Sequence, residues 1–153
     1  MINGKKIEQE FNEILMELSS DGKLNQMKAF IQHGKVNTYD HVIDVARASF
    51  LVHRGLRKKS DPRALVRAAL LHDYFLYDWH DVSHSGVHFV SHPAHAAKNA
   101  KADFGLTKKE ERAIRSHMFP AGLRPPTSRE ALILTCADKF CATREFFLSK
   151  RQK

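Results

Sequence analysis

The stretch Ala69-Leu70-Leu71-His72-Asp73-Tyr74 places a histidine and an aspartate side by side at the end of an apolar run. In a helix, Leu65, Ala69 and His72 share one face, so the His72 ring should point toward the core. An ionised carboxylate buried beside an imidazole costs on the order of several kcal/mol unless the pair is hydrogen-bonded or binds a metal ion. The stretch therefore predicts a metal site. A helix-end histidine beside a solvated aspartate is the alternative.

The composition is typical of one soluble globular domain. The chain has 153 residues, of which 42% are hydrophobic and 27% charged, and that length is enough to bury a core. No run approaches the roughly 18 apolar residues of a membrane span, so we expect a cytoplasmic protein without membrane contact. Cys136 and Cys141 are five residues apart, a spacing that suits neither a local disulfide nor a CxxC metal knuckle.

The formal charge of +8 favours anionic partners, whether nucleic acid, acidic lipid or phosphorylated small molecules. The densest basic patch straddles a predicted turn between two helices and comprises Arg54, Arg57, Lys58, Lys59, Arg63 and Arg67. Aromatic residues do not alternate with these cations, as a platform for single-stranded nucleic acid would require. A solvated surface explains the patch, and nucleic acid is not the expected partner.

Helical periodicity recurs in successive segments of the chain, and we find no strand alternation, internal repeat or low-complexity tract. Helix starts are indicated by Thr38, by Asp61-Pro62 and by the capping-box pattern at Thr107-Lys108-Lys109-Glu110. We predict an all-α bundle of about six to seven helices. The expected helical segments are 3–18, 24–33, 39–56, 62–73, 91–104, 108–118 and a last long helix from about 128.

Two boundaries in this prediction rest on single residues. Gly34 after His33 is the expected C-terminal cap of the second helix. Residues 77–91 have no consistent apolar period and are expected to form a histidine-rich loop, with Ser91 as the N-cap of the next helix and Pro93 in its first turn.

Six polar side chains are expected to point inward from different helices or helix ends. Imidazole and carboxylate ligands without thiolate suit iron, manganese, zinc, nickel or cobalt, whereas calcium and magnesium prefer oxygen alone. A single histidine is more often a core or surface residue than a ligand, but the joint occurrence favours a metal centre. The candidate metal ligands are His41, His72, Asp73, His92, His117 and Asp138.

The order of these residues resembles the HD-domain superfamily of metal-dependent phosphohydrolases. His41, then His72-Asp73, then Asp138 match its H...HD...D signature, and His92 and His117 resemble the members that hold two metal ions. The resemblance covers about residues 36–145. It is closest to a subgroup of small bacterial HD-domain proteins, through the strings 69–73, 77–80, 92–93 and 137–139. We therefore expect an HD domain over 36–153, with 1–35 as an N-terminal helical extension packed on it.

The resemblance implies a ligand set for each of two metal ions. His41, His72, Asp73 and Asp138 would hold one ion, and Asp73 would bridge to a second ion held by His92 and His117. Two cations about 3.5 to 4 Å apart can activate a water and neutralise phosphoryl charge, so no protein nucleophile is required. The sequence contains no Gly-x-Ser-x-Gly elbow, P-loop or His-Glu-x-x-His motif. Iron or manganese is the preferred metal, before zinc, nickel or cobalt.

Four further residues are candidate substrate contacts. His88 is expected to contact phosphate or donate a proton, which together with Asp73 and Lys139 makes it a candidate catalytic residue. Lys139 could contact a phosphate oxygen or a neighbouring carboxylate, or be solvated. Trp79 could stack on a base, although core packing would also explain it. His80 is the fourth candidate.

The leading functional hypothesis is a phosphohydrolase that cleaves a phosphoester of a small phosphorylated compound, with nucleotides as the candidate class. The alternative is a metal-binding HD scaffold without turnover that serves as a regulatory or interaction module. Residues 1–35 would either pack on the core or join two subunits, so a homodimer is a further expectation.

Overall fold

A computed structural model describes residues 4–56, 59–81 and 88–150. Six α-helices, one 3-10 helix and a two-stranded antiparallel hairpin form the described part of the chain, and the predicted all-α fold is confirmed. The elements are α1 (Gly4–Ser19), the 3-10 helix (Lys23–Ala29), β1 (Ile31–His33), β2 (Val36–Asn37), α2 (Thr38–Gly55), α3 (Pro62–Leu71), α4 (His88–Phe104), α5 (Lys108–Ser116) and α6 (Arg129–Lys150).

Capping side chains fix where three helices begin. Asp61 accepts a hydrogen bond from the Ala64 amide at 3.1 Å, with Pro62 as the first residue of α3. Thr107 and Glu110 form the predicted capping box of α5. For α2 the cap is Asn37, one residue before the predicted Thr38, because the Asn37 side chain accepts from the Asp40 amide at 2.8 Å. Each cap satisfies an amide that the first helical turn leaves without a partner.

Helix α2 lies at the centre of the bundle and packs against both α3 and α6. Its Val42 and Val45 are fully buried together with Leu65 and Leu70 of α3 and Leu134 of α6. The amino-terminal elements add to the same core, since α1 packs against α3 and buries three apolar side chains, Phe11, Ile14 and Leu18.

The predicted helix over 24–33 is wrong. A 3-10 helix ends at Ala29, Phe30 is extended with φ −115° and ψ 133°, and β1 follows. Within the 3-10 helix, Leu24 and Met27 are the buried residues. They are three residues apart, which is the spacing of one 3-10 turn. Gly34, with φ +59°, belongs to the turn between β1 and β2 rather than to a helix cap.

The predicted start of α4 at Ser91 is also wrong. The helix begins at His88 and carries Pro93 inside it. The extra turn matters because it places His88 and His92 on one helical face, with their rings stacked 4.4 Å apart between centroids. Of the histidines that recur every four residues, His84 lies outside the described residues, and His80 precedes the helix.

Acidic side chains pair with much of the predicted basic patch. Arg67 binds Glu110 at 2.8 Å in a buried ion pair; Arg54 and Arg63 pair with Glu10 and Glu17. Arg57 and Lys58 lie outside the described residues. Among the helices that are described, none has the length and apolar character to cross a membrane.

Candidate metal centre

The fold brings the six predicted ligands together in one buried cluster. His41 comes from α2, His72 and Asp73 directly follow α3, and His92 comes from α4. His117 follows α5, and Asp138 comes from α6. Their exposed fractions run from 0% to 7%, so their polar atoms depend mainly on one another for partners.

Three of the four histidines are oriented by main-chain carbonyls of their own helix end. A carbonyl oxygen can only accept a hydrogen bond, so each Nδ1 must carry a proton and each neutral ring turns an Nε2 lone pair to the centre. The bonds are His72 Nδ1 to Ala69 O at 2.7 Å, His92 Nδ1 to His88 O at 2.9 Å and His117 Nδ1 to Ile114 O at 2.7 Å.

A carboxylate orients the fourth histidine in the same way. His41 Nδ1 lies 3.0 Å from both carboxylate oxygens of Glu145, and Glu145 is itself buried. Donation from Nδ1 to Glu145 leaves the His41 Nε2 lone pair facing Asp138 Oδ1 at 3.1 Å. A carboxylate behind a histidine fixes the ring and raises its basicity as a ligand.

One half of the cluster joins α2, α3 and α6. His41 Nε2, His72 Nε2 and Asp138 Oδ1 form a potential three-atom ligand set. His72 Nε2 lies 3.5 Å from Asp138 Oδ1 and 3.3 Å from Asp73 Oδ2, and His41 Nε2 lies 3.8 Å from Asp73 Oδ2. Asp73 thus presents one oxygen to this half.

The other half lies between the ends of α4 and α5. His92 Nε2 and His117 Nε2 are 2.9 Å apart. The second oxygen of Asp73, Oδ1, lies 3.2 Å from His92 Nε2 and 3.5 Å from His117 Nε2. Asp73 is therefore the one carboxylate that faces both halves of the cluster among the described residues.

These donors fit divalent metal ions. Ligand atoms bonded at about 2.0 to 2.2 Å in tetrahedral or octahedral geometry lie roughly 3 to 3.5 Å apart, the spacing found here. In neutral rings His92 and His117 point lone pairs at each other, which is repulsive unless a proton or a metal ion lies between them. Among the described residues, His72 Nε2 and Asp73 Oδ1 are buried without a hydrogen-bond partner, which is costly in the absence of a cation.

The buried carboxylates of the cluster also favour a bound cation. Burial lowers the pKa of His41, but hydrogen bonds to Asp138 and Glu145 outweigh burial and raise that pKa to about 9. Burial raises the pKa of Asp138, yet the neighbouring His41 and His72 rings outweigh burial and hold that pKa far below its usual range. Buried carboxylates therefore draw protons onto neighbouring histidines when no metal is bound, and a metal ion would displace those protons.

Three residues of the centre were missed by the sequence reasoning. Glu145 lies one turn beyond Cys141 on the helical face that carries Asp138, so extending the pattern by four residues would have indicated it. Gln32 and His33 come from β1, where two or three residues per strand give no readable alternation. Gln32 Nε2 donates to Asp73 Oδ2 at 2.6 Å, and the His33 ring lies 5.6 Å from the His41 ring between centroids.

A cavity of about 180 Å³ opens onto the cluster. Trp79, His88 and Lys139, three of the four predicted substrate contacts, line it. The exposed His80 does not: its ring is tilted by 33° against Trp79, with ring centroids 3.9 Å apart, and it pairs with Asp78.

Two lining residues have partners that define their chemistry. Lys139 Nζ donates to the His117 carbonyl at 3.1 Å, which holds the ammonium beside the cluster. His88 Nδ1 lies 3.0 Å from the Tyr77 hydroxyl. Burial and then the neighbouring His92 lower the pKa of His88 to about 4, so the ring is neutral at pH 7.

The fold and the cluster define a class: all-α proteins with a buried histidine and aspartate centre suited to divalent metal ions. A family model described as HD domain matches residues 38–143. The chain therefore belongs to the HD domain family, as its H...HD...D pattern predicted. Metal-dependent phosphohydrolases are typical of this family, and some members are non-catalytic. No curated protein and no solved structure shows a significant match to the chain.

Proposed function

We propose that this protein is a metal-dependent phosphohydrolase that cleaves a phosphoester of a small phosphorylated compound, with nucleotides as the candidate class. The observation that carries the proposal is the convergence of histidine lone pairs on the two oxygens of Asp73. His92 Nε2 and His117 Nε2 face each other at 2.9 Å beside Oδ1, and His72 Nε2 faces Oδ2 at 3.3 Å. Two adjacent cation sites that share one carboxylate account for this arrangement.

The proposed ligands divide between the two halves of the cluster. His41, His72 and Asp138 would hold one ion, His92 and His117 the other, and Asp73 would contribute an oxygen to each. Divalent ions held there would supply Lewis acidity, which activates water and offsets charge on a phosphoryl group. Iron or manganese is proposed first, since imidazole with carboxylate suits both.

The cavity supplies the groups proposed to meet the substrate. Lys139 is the only lysine or arginine among the described residues that line it, and its ammonium is proposed to bind a phosphate oxygen. The neutral His88 ring can donate an N–H bond to phosphate, but with a pKa of about 4 it holds no extra proton at pH 7. Phosphate contact is therefore favoured over proton donation. Trp79 offers a flat face beside the cavity for a base.

The proposal is tested by hydrolysis assays on metal-loaded protein. Phosphomonoesters, phosphodiesters, nucleotides and dinucleoside polyphosphates would be screened with manganese, iron or nickel. We expect turnover of at least one class by the parent protein. Asp73→Ala should reduce the rate at least about a hundredfold, because several kcal/mol of metal-dependent transition-state stabilisation would be lost.

The matched control is Asp44→Ala. Asp44 lies on α2 at the surface and pairs with Arg144, so this variant should keep the parent rate. Equal rates for Asp73→Ala and the parent would overturn the proposed centre. Absence of turnover by parent protein that carries two ions would instead favour the non-catalytic scaffold.

A further inference from the structure

We infer that Gln32, on the β-hairpin that precedes the family-matched region, is a positioning residue that aims the Asp73 carboxylate at both halves of the metal centre. The inference rests on the proposed metal centre and adds to it a residue outside the 38–143 match.

The hydrogen bonds of Gln32 fix the orientation of its amide. A carboxylate can only accept, so the NH₂ group must face Asp73, where Nε2 lies 2.6 Å from Oδ2. The amide oxygen then faces Thr38, whose hydroxyl lies 3.2 Å from it and 3.2 Å from the Phe30 carbonyl oxygen, so the single hydroxyl proton is shared between the two acceptors. Gln32 is 7% exposed and Thr38 is 1% exposed, so water does not compete strongly for either bond.

The hydrogen bond from Gln32 determines which half of the cluster each carboxylate oxygen of Asp73 faces. Rotation about the last side-chain torsion of an aspartate is soft, because that torsion joins an sp³ and an sp² carbon. The Gln32 amide holds Oδ2 on the side of His72, and Oδ1 is thereby turned toward His92 at 3.2 Å. Without the amide, the carboxylate loses the only amide hydrogen bond that restrains this rotation among the described residues.

The hairpin that carries Gln32 is held in place by its turn. Gly34 adopts φ +59°, and a Cβ added there would lie 2.7 Å from Ser149 Cβ on α6. The turn thus packs directly on the helix that supplies Asp138 and Glu145. This close contact places β1, and with it the Gln32 side chain, at a fixed distance from α6.

The two halves should respond differently to loss of Gln32. The half at α4 and α5 has two histidines and Asp73 Oδ1, so a misdirected Asp73 leaves it two protein ligands. The other half keeps His41, His72 and Asp138. We therefore expect the ion held by His92 and His117 to be lost first.

The test compares Mn²⁺ binding by the parent and by Gln32→Met. Methionine keeps the length of the side chain and removes the amide. Titration calorimetry, with ions per chain measured on the same samples, should show two ions for the parent. In the variant one affinity should fall about 10-fold to 100-fold, the range for loss of an outer-shell partner, while the other stays near the parent value.

Two controls separate positioning from general stability. Gln26→Met makes the same exchange at an exposed glutamine of the 3-10 helix that bonds Tyr74, and it should bind both ions as the parent does. Thr38→Val removes the bond to the Gln32 oxygen and should weaken the same ion by a smaller factor. Metal-free Gln32→Met should melt about 2 to 10 °C below Gln26→Met, because a buried Asp73 oxygen loses its donor, and it should still unfold in one cooperative transition.

The outcomes distinguish the inference from the proposed function. Parental affinity for both ions in Gln32→Met would overturn the role of Gln32 alone. An equal loss at both sites with a large fall in metal-free melting temperature would also overturn it, in favour of a structural role. A parent that takes up no Mn²⁺ would overturn the metal centre and this inference together.

Discussion

His92 and His117 meet through nitrogens that both lack a proton when the rings are neutral, because each Nδ1 is committed to a carbonyl oxygen. At 2.9 Å between their Nε2 atoms, two lone pairs repel. A cation between them converts that repulsion into coordination. The same pair of residues should therefore destabilise the metal-free protein and stabilise the metal-bound protein.

The His92→Leu variant tests whether the contribution of this pair to stability changes from unfavourable to favourable when metal binds. Without metal, the variant should melt at or above the parent temperature, because two facing acceptors are replaced by an apolar contact. With saturating Mn²⁺, it should melt about 5 to 10 °C below the parent, since an ion at 100 times its dissociation constant contributes about 2.7 kcal/mol. Thermal denaturation with and without chelator measures both values.

His53→Leu is the matched control for this experiment. His53 is buried on α2 and bonds Ser60 at 2.6 Å, away from the centre. Its replacement should lower the melting temperature equally with and without metal. A His92→Leu variant that behaves like His53→Leu would contradict cation binding between His92 and His117.

The pKa of His41 predicts how the metal-free protein responds to pH. Its pKa is raised from 6.5 to about 9 in the folded state, so the folded protein binds this proton more tightly than the unfolded chain. The stabilisation is complete below pH 6.5 and is lost as pH rises through 9. Chelated protein should therefore melt at progressively lower temperature from pH 6.5 to 9.

Glu145→Gln supplies the comparison for the pH series. It removes one of the three carboxylates that raise the His41 pKa, the others being Asp138 and Asp73, so its melting temperature should fall less over the same pH range. The fall should also be smaller for metal-loaded parent protein, where metal replaces the proton. A flat profile for chelated parent protein would contradict the charge balance inferred for the cluster.

At the scale of elements, the turn of the β-hairpin has no room for an added methyl group at Gly34. Gly34 and Gly105 have nearly the same backbone, with φ +59° and +60°. An added Cβ at Gly34 meets Ser149 at 2.7 Å, whereas at Gly105 it meets nothing within 4 Å. Alanine at each of the two positions would introduce the same backbone strain, but only alanine at Gly34 would also displace the hairpin.

Gly105→Ala should cost about 1 to 2 kcal/mol, the cost of a left-handed residue with a side chain, and leave metal binding unchanged. Gly34→Ala should cost more and should also weaken Mn²⁺ uptake, because β1 must move away from α6 and carries Gln32 with it. Melting temperature and ions per chain measure the two effects. Equal behaviour of the two variants would contradict a hairpin fixed by contact with α6.

Sequence patterns predicted the elements whose signals are local and strong. Asp61-Pro62 and Thr107 with Glu110 form their caps as expected, because a capping bond depends on residues only three apart. Helices long enough to show several apolar repeats were also predicted. The hairpin was not, since Ile31–His33 and Val36–Asn37 are too short to show a period.

The start of α4 shows how a strong local signal can mislead. Pro93 after Ser91 has the form of a helix start, yet the helix begins at His88. Pro93 is the sixth residue of the helix, beyond the first four amides that have no partner within it, so the helix continues through it with one main-chain hydrogen bond fewer. The packing of His88 on Trp79 and His92, with centroids 5.0 and 4.4 Å away, involves contacts that sequence spacing does not encode.

At the scale of the whole molecule, the cluster of six predicted ligands lies inside the helical bundle. The six predicted ligands come from five helices or helix ends, and apolar residues of α2, α3 and α6 surround them. The six ligands were predicted because they occur together in one sequence. Gln32 and Glu145 instead bind Asp73 and His41, which lie 41 and 104 residues away along the chain. Contacts at such separations depend on the tertiary fold.

The central claim is that this fold holds two divalent metal ions that share Asp73. The most direct test is metal analysis of untagged protein, reconstituted anaerobically with iron or manganese and expressed as ions per chain, beside Asp73→Ala and Asp44→Ala. We predict close to two ions for the parent and for Asp44→Ala, and less than one for Asp73→Ala. A parent protein without bound metal, or an Asp73→Ala variant that keeps two ions, would contradict the claim.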